Sequence, residues 1–446
     1  MPIQLIGQGE LAYSLVSYDA AGVERPEGGA SFSDDVVHAV AEQPITDVVL
    51  LSHGWNGDIP DARDQYQRWL TAMAECTADR AALVERVPEF RPLVVGLHWP
   101  SKAWGDEELS AGSFAATSAP TSPAVTTVDG LVEQYAAQLS QTERARAALR
   151  TIFEAALADI APDTLPPEVA DAYAVLDTEI GLGADGEGAE PGADRLPFDA
   201  SAAYQSVLDE EDLAAFGGPA LGGILAPLRT LTFWQMKRRA CRFGETGAAD
   251  LLRRMQAAVP SGRQVRFHLM GHSFGCIVVS ACVAGRPEDQ PAHVDTLILV
   301  QGAMSLWSYC SSIPSSPRRA GYFHRIVADG LVRGATVATM SEHDRAVGFF
   351  YPLGAAVARQ RSYAPGRLPA FGGLGTFGAR GPLTAVEDLR MRDVSEPYQF
   401  EPHTIYNLES SAVIANGGGP SGAHSDICHP AVAHAVWSAI GVGRTG

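Results

Sequence analysis

The chain has 446 residues, of which 46% are hydrophobic and 19% charged, and its formal net charge is −19. This composition excludes global disorder, and the acidic balance excludes recognition of nucleic acid through its phosphates or attraction to an anionic membrane. The length predicts a large catalytic domain with an insertion, or two domains.

In chain order, residues 11–18 read as a strand, with a turn at 19–22 and a short partner beginning at Val23 and Glu24. An opening hairpin is expected there. Val48-Val49-Leu50-Leu51 is a continuous apolar run of the kind buried on both faces of a parallel sheet, and it stops at His53-Gly54-Trp55-Asn56-Gly57. A helix is predicted over 59–84 with Trp69, Leu70, Met73 and Leu83 inward, followed by a strand over 92–99. The alternation signals βαβ units.

The pattern then breaks. Residues 110–127 are rich in Ser, Thr, Ala and Pro and read as a linker, residues 129–160 carry a helical period, and residues 182–197 read as a flexible stretch. Residues 105–228 are therefore expected to be a helical insertion between a first core segment, 1–104, and a second, 229–446. Helix is predicted from Phe233 to Ala258, then strands at 265–270, 296–300, 335–340 and 404–408. Residues 352–392 read as a long loop, and a closing helix runs from Pro430 to Ile440.

The chemistry concentrates at Gly271-His272-Ser273-Phe274-Gly275, between an apolar strand and an apolar helix. A serine hydroxyl is a poor nucleophile unless a base activates it in an exposed position. A sharp strand-to-helix turn supplies the exposure, and its crowding demands glycine two residues before and two after the serine. Ser273 is thus the candidate nucleophile. Phe274, at the start of the following helix, offers a backbone N–H to a developing oxyanion, aided by the helix dipole. The loop after the early strand offers the second donor, Trp55, with Gly54 as the alternative. Gly54 and His272, beside the serine, are expected to line the substrate.

Sites built on such an elbow run in the order serine, acid, histidine. His424, in the loop before the last helix, is the candidate base; His429 is its rival, and His403 and His434 are weaker competitors. The candidate acid is Asp344, beyond the strand at 335–340, with Glu342, Asp329 and Asp426 as alternatives.

These residues, Ser273 in its elbow, His53-Gly54-Trp55, Asp344 and His424, resemble the α/β-hydrolase superfamily over residues 1–104 and 229–446. Gly-Trp-Asn-Gly and His-Ser-Asp-Ile are similar to segments of bacterial serine esterase- or lipase-like members. The resemblance implies an α/β-hydrolase fold: a mostly parallel central sheet flanked by helices, with a helical cap inserted between strands. It also implies cofactor-free acyl transfer to water. The insertion precedes the nucleophile, whereas many members carry their main cap after it, so substrate preference does not carry over.

The expected activity is hydrolysis of small-molecule or lipid carboxylic esters through an acyl-enzyme. The alternatives are a lipase, a serine peptidase, a thioesterase, or a non-catalytic binding protein on the same scaffold. No metal is expected, since no HExxH or EF-hand pattern occurs. The six cysteines form no CxxC pair and read as free, mostly buried thiols of a cytosolic chain. Met1-Pro2-Ile3-Gln4 lacks a basic n-region and no apolar run spans a bilayer, so a cytoplasmic protein without stable membrane insertion is expected.

Overall fold

The structure is a computed structural model that describes residues 3–6, 11–26, 31–55, 57–101, 127–181, 195, 197–208, 223–286, 288–350, 368–381, 385–417 and 421–442. The predicted linker at 110–126, most of the stretch 182–197, residues 352–367 of the predicted loop, Asn56, and Gly418-Gly419-Pro420 lie outside them.

Among the described residues, nine strands form one sheet: β1 (Ile3–Ile6), β2 (Leu11–Ser17), β3 (Asp47–Ser52), β4 (Pro92–His98), β5 (Arg266–His272), β6 (Thr296–Val300), β7 (Thr336–Met340), β8 (Val386–Arg390) and β9 (Ile405–Glu409). Their order is β1-β2-β4-β3-β5-β6-β7-β9-β8. β1 pairs antiparallel with β2; every other pairing is parallel. The class is α/β. The central strands β3 and β6 are buried along their whole length, because helices cover both faces.

Successive residues serve opposite cores. Val48, Leu50, Leu297 and Leu299 face one apolar cluster, whereas Val49, Leu51, Ile298 and Val300 face the other. The first face carries α1 (Phe32–Glu42), α8 (Ala226–Phe243), α9 (Ala249–Ala257) and α10 (Gly275–Ala284). The second carries α2 (Ile59–Glu75), α3 (Thr77–Arg86) and the last helix, α14 (Pro430–Ile440). Each fully buried Val, Leu or Ile contributes about 1.5–3 kcal/mol.

Between β4 and α8 lie α4 (Val128–Gln138), α5 (Glu143–Ala158), α6 (Pro167–Ile180) and α7 (Ala200–Leu208). Their apolar residues join the first core, among them Tyr135, Leu149, Ile152, Phe153, Val169 and Tyr173. Thr127 and Thr142 accept a backbone N–H at the starts of α4 and α5, and left-handed Gly181 ends α6.

Several expectations need correction. Val23 and Glu24 add only one bridge, Tyr18 to Glu24, and the hairpin partner of β2 is β1. The helix expected over 59–84 breaks at Cys76, whose backbone (φ −76°, ψ 62°) is not helical. The one over 129–160 breaks into α4 and α5 at residues 139–142. Helix α8 begins at Ala226, ahead of the predicted start, and a π-helical turn at Gly244–Ala248 separates it from α9. The predicted loop at 352–392 contains a short helix, α13 (Leu374–Phe377), and β8. Two further short helices are α11 (His324–Ala328) and α12 (Arg345–Phe350). No helix among the described residues is long and apolar enough to cross a membrane. All six cysteines are free thiols, five of them buried.

Candidate active site

Four strand ends converge at the carboxyl edge of the sheet, where open α/β sheets place their ligands. β5 leads to Ser273, β3 to Gly54 and Trp55, β7 to Asp344, and β9 into the loop that bears His424.

Ser273 has φ 56°, a left-handed conformation rare for a residue with a side chain. Such strain is held by its surroundings and gathers at functional positions. Here the surroundings are tight. A Cβ on Gly271 would lie 2.3 Å from the Gly275 carbonyl carbon, and one on Gly275 would lie 2.2 Å from the Ser52 carbonyl oxygen. The Ser273 N–H donates to the Val300 carbonyl (3.1 Å), and its own carbonyl accepts from Cys276 (3.1 Å) and Ala303 (3.2 Å). The elbow is thereby clamped between β3 and β6.

The three residues expected to form a relay meet. His424 Nδ1 lies 2.8 Å from Asp344 Oδ2, and His424 Nε2 lies 2.8 Å from Ser273 Oγ. The carboxylate only accepts, so it fixes the proton on Nδ1; Nε2 is then the acceptor for the serine hydroxyl. Asp344 Oδ1 accepts the Val347 N–H (3.0 Å) at the start of α12. Asp344 and Gly422 form an antiparallel bridge, and the Ala423 N–H donates to the His343 carbonyl (2.9 Å), so the loops that carry Asp344 and His424 are fastened together.

The rival candidates have other partners. His429 Nε2 bonds Asp426 Oδ1 (2.8 Å), while Asp426 Oδ2 accepts the N–H groups of Ala415 and Asn416 (3.1 and 2.7 Å). His434 bonds Asp79 and the Glu396 carbonyl. Glu342 is exposed.

The loop after β3 lies against Ser273. A Cβ on Gly54 would stand 2.8 Å from Ser273 Cβ, so only glycine admits this approach. The Trp55 ring packs on Phe233 (5.9 Å) and Phe274 (5.7 Å). No acceptor among the described residues takes the Phe274 N–H, which sits at the N-terminus of α10. It is available to an anion there.

His272, expected to line the substrate, is buried with its Nε2 2.9 Å from the His424 carbonyl. Burial pushes its pKa down to about 3, with the His424 ring a smaller cause. Burial also lowers His53 to about 4 and His98 to about 2. All three imidazoles are neutral at neutral pH.

Sequence reasoning passed over Tyr66. Its hydroxyl accepts the His53 N–H (2.8 Å) and lies 2.5 Å from the Leu97 carbonyl, fixing the start of the Gly54 loop. The signal was present, since Tyr66 shares the inward face of α2 with Trp69, Leu70 and Met73. Gln301 was also missed. It follows β6 with φ 46°, is fully buried, and neither atom of its side-chain amide has a hydrogen-bond partner. Among the described residues no group of three or more His, Cys, Asp or Glu side chains could hold a metal ion.

No protein-family model matches this chain, and no curated protein and no solved structure matches it.

Proposed function

We propose that this chain is a serine hydrolase of the α/β-hydrolase fold that cleaves carboxylic esters through an acyl-enzyme. The observation that carries the reading is the unbroken line Asp344–His424–Ser273, with both links at 2.8 Å. It ends on a serine held in a strained turn at the carboxyl edge of a parallel sheet.

The proposed steps are as follows. Ser273 Oγ attacks the acyl carbon as His424 Nε2 takes its proton. Asp344 holds the Nδ1–H tautomer and stabilises the imidazolium without taking the proton itself. The carbonyl π bond breaks and the oxygen becomes an oxyanion, which the N–H groups of Phe274 and Trp55 stabilise. The oxyanion collapses, the C–O bond to the leaving group breaks, and His424 returns the proton to give the free alcohol. Water then attacks the acyl-enzyme with His424 again as base, releasing the acid and Ser273. Esters are the substrate class because an alkoxide departs with less assistance than an amide nitrogen.

The test pairs a fluorophosphonate probe with p-nitrophenyl esters of rising chain length. The wild type is expected to be labelled at Ser273 and to release p-nitrophenol, and Ser273→Ala to do neither. Equal turnover by wild type and Ser273→Ala would reject the proposal.

A further inference from the structure

The side chain before the nucleophile meets three parts of the site at once. His272 ends β5, is 5% exposed as a residue, and has its ring edge-on to Trp69 at 6.2 Å and 4.9 Å from the ring of His424. Its Nε2 faces the His424 carbonyl at 2.9 Å; a carbonyl can only accept, so the ring proton sits on Nε2. Nδ1 then carries a lone pair, and it is buried with no hydrogen-bond partner. A Cβ on Gly54 would lie 3.2 Å from that nitrogen, so the ring also abuts the loop after β3.

Leaving a buried polar atom unpaired costs about 1–3 kcal/mol. An apolar side chain would fill the space without that penalty, so packing alone does not account for a histidine here. What the ring supplies is one donor aimed at the base. His424 lies on a loop, outside any strand or helix. On the acid side that loop is held by the Ala423 N–H to His343 carbonyl bond, 2.9 Å. On the nucleophile side it is held by His272.

Resting on the serine-hydrolase reading, we infer that His272 is a positioning residue, whose Nε2–H holds the His424 backbone so that its imidazole stays in line between Asp344 and Ser273. The neutral state suits the task. A second imidazolium 4.9 Å away would oppose the charge that His424 gains during attack, and burial keeps His272 uncharged. The groups facing the ring are His424, Trp69, the Gly54 loop and the more distant His53 and Arg68.

The experiment compares His272→Leu with His272→Gln and adds nitrogen NMR of the histidine rings in the wild type. Leucine keeps bulk and removes the donor; the glutamine Nε2 restores an N–H at similar reach. Turnover is referred to sites titrated with a fluorophosphonate, so that lost folding does not count as lost catalysis. His272→Leu is expected to lower kcat roughly ten- to a hundred-fold with KM held within about twofold, and His272→Gln to recover most of it. NMR is expected to find His272 neutral with its proton on Nε2. Unchanged kcat in His272→Leu, a glutamine variant no better than leucine, or a proton on Nδ1 would each overturn the inference. A wild type inert to the probe and to every ester breaks the hydrolase reading instead, and the NMR result still decides the bond by itself.

Discussion

The carboxyl edge of the sheet and the helical block α4–α7 are built on opposite terms. The edge buries polar groups: Ser273, Asp344, His424, His272 and Gln301. It holds two side-chain-bearing residues at positive φ, Ser273 and Gln301, and leaves His272 Nδ1 and the Gln301 amide without partners. The block buries Tyr135, Leu149, Ile152, Phe153, Val169 and Tyr173 on helices, two of which start at threonine caps. One region breaks local rules and the other follows them. Where local rules are broken, the surrounding structure maintains the strain, and function is the reason to look for. The comparison fails if substitutions in the two regions have interchangeable effects.

The largest separation is expected at Ser273. Ser273→Ala should lower kcat by on the order of 10⁵-fold or more, with Tm unchanged. Ser273→Gly should be equally inactive yet more stable, by about 1–2 kcal/mol, because glycine accepts φ 56° without strain. Denaturant titration measures the gain; a glycine variant less stable than wild type would show that the turn is not strained. Asp344→Asn comes next. An amide in place of the carboxylate no longer dictates the Nδ1–H tautomer, and kcat should fall about 10⁴-fold. Steady-state kinetics decide this, and a loss below tenfold would remove Asp344 from the relay.

The reverse case lies in the block. Ile152 is fully buried in α5, and Ile152→Ala should lower stability by about 2–5 kcal/mol. Turnover per titrated site should stay within about twofold, since the substitution removes packing and touches no reacting group. A matching fall in kcat per site would mean that the block shapes the chemistry after all.

The same contrast decides what was legible in the sequence. The apolar runs of β3 and β6 announce themselves because strands covered on both faces need no polar alternation. β8, Val-Glu-Asp-Leu-Arg, does not, because an edge strand with an exposed face carries charges that erase the pattern. The break at Cys76 has no glycine or proline to mark it, so α2 and α3 merge when periodicity alone is read. Ser273, Asp344 and His424 could be chosen because an elbow fixes the order of its partners along the chain, and the fold brings the three within hydrogen-bonding distance. Tyr66, the His272 bond and Gln301 are different. Their significance lies in which backbone atom each side chain meets, or in having none to meet, across long sequence separations, and no local pattern encodes that.

The smallest expected effect concerns acid. Every histidine of the chain lies outside residues 99–267, so the helical block has none, while His53, His98 and His272 sit at the carboxyl edge. Burial holds these three at about 4, 2 and 3, below the ordinary 6.5. Between those values and 6.5 the unfolded chain binds more protons than the folded one. The stability they contribute is therefore complete above pH 6.5 and is lost progressively as pH falls below it. Calorimetry from neutral pH downward should find Tm falling once pH drops below about 6.5. Replacing one buried imidazole by a group that cannot titrate, as in His98→Leu, should make that slope shallower even if it lowers Tm at neutral pH. Because these three rings lie at the edge, near-UV signals from Trp69 and Trp99, which pack beside His272 and His53, should change before the helical far-UV signal does. A Tm indifferent to mild acid, or a helical signal that fails first, would show that the strained edge is not the weaker of the two regions.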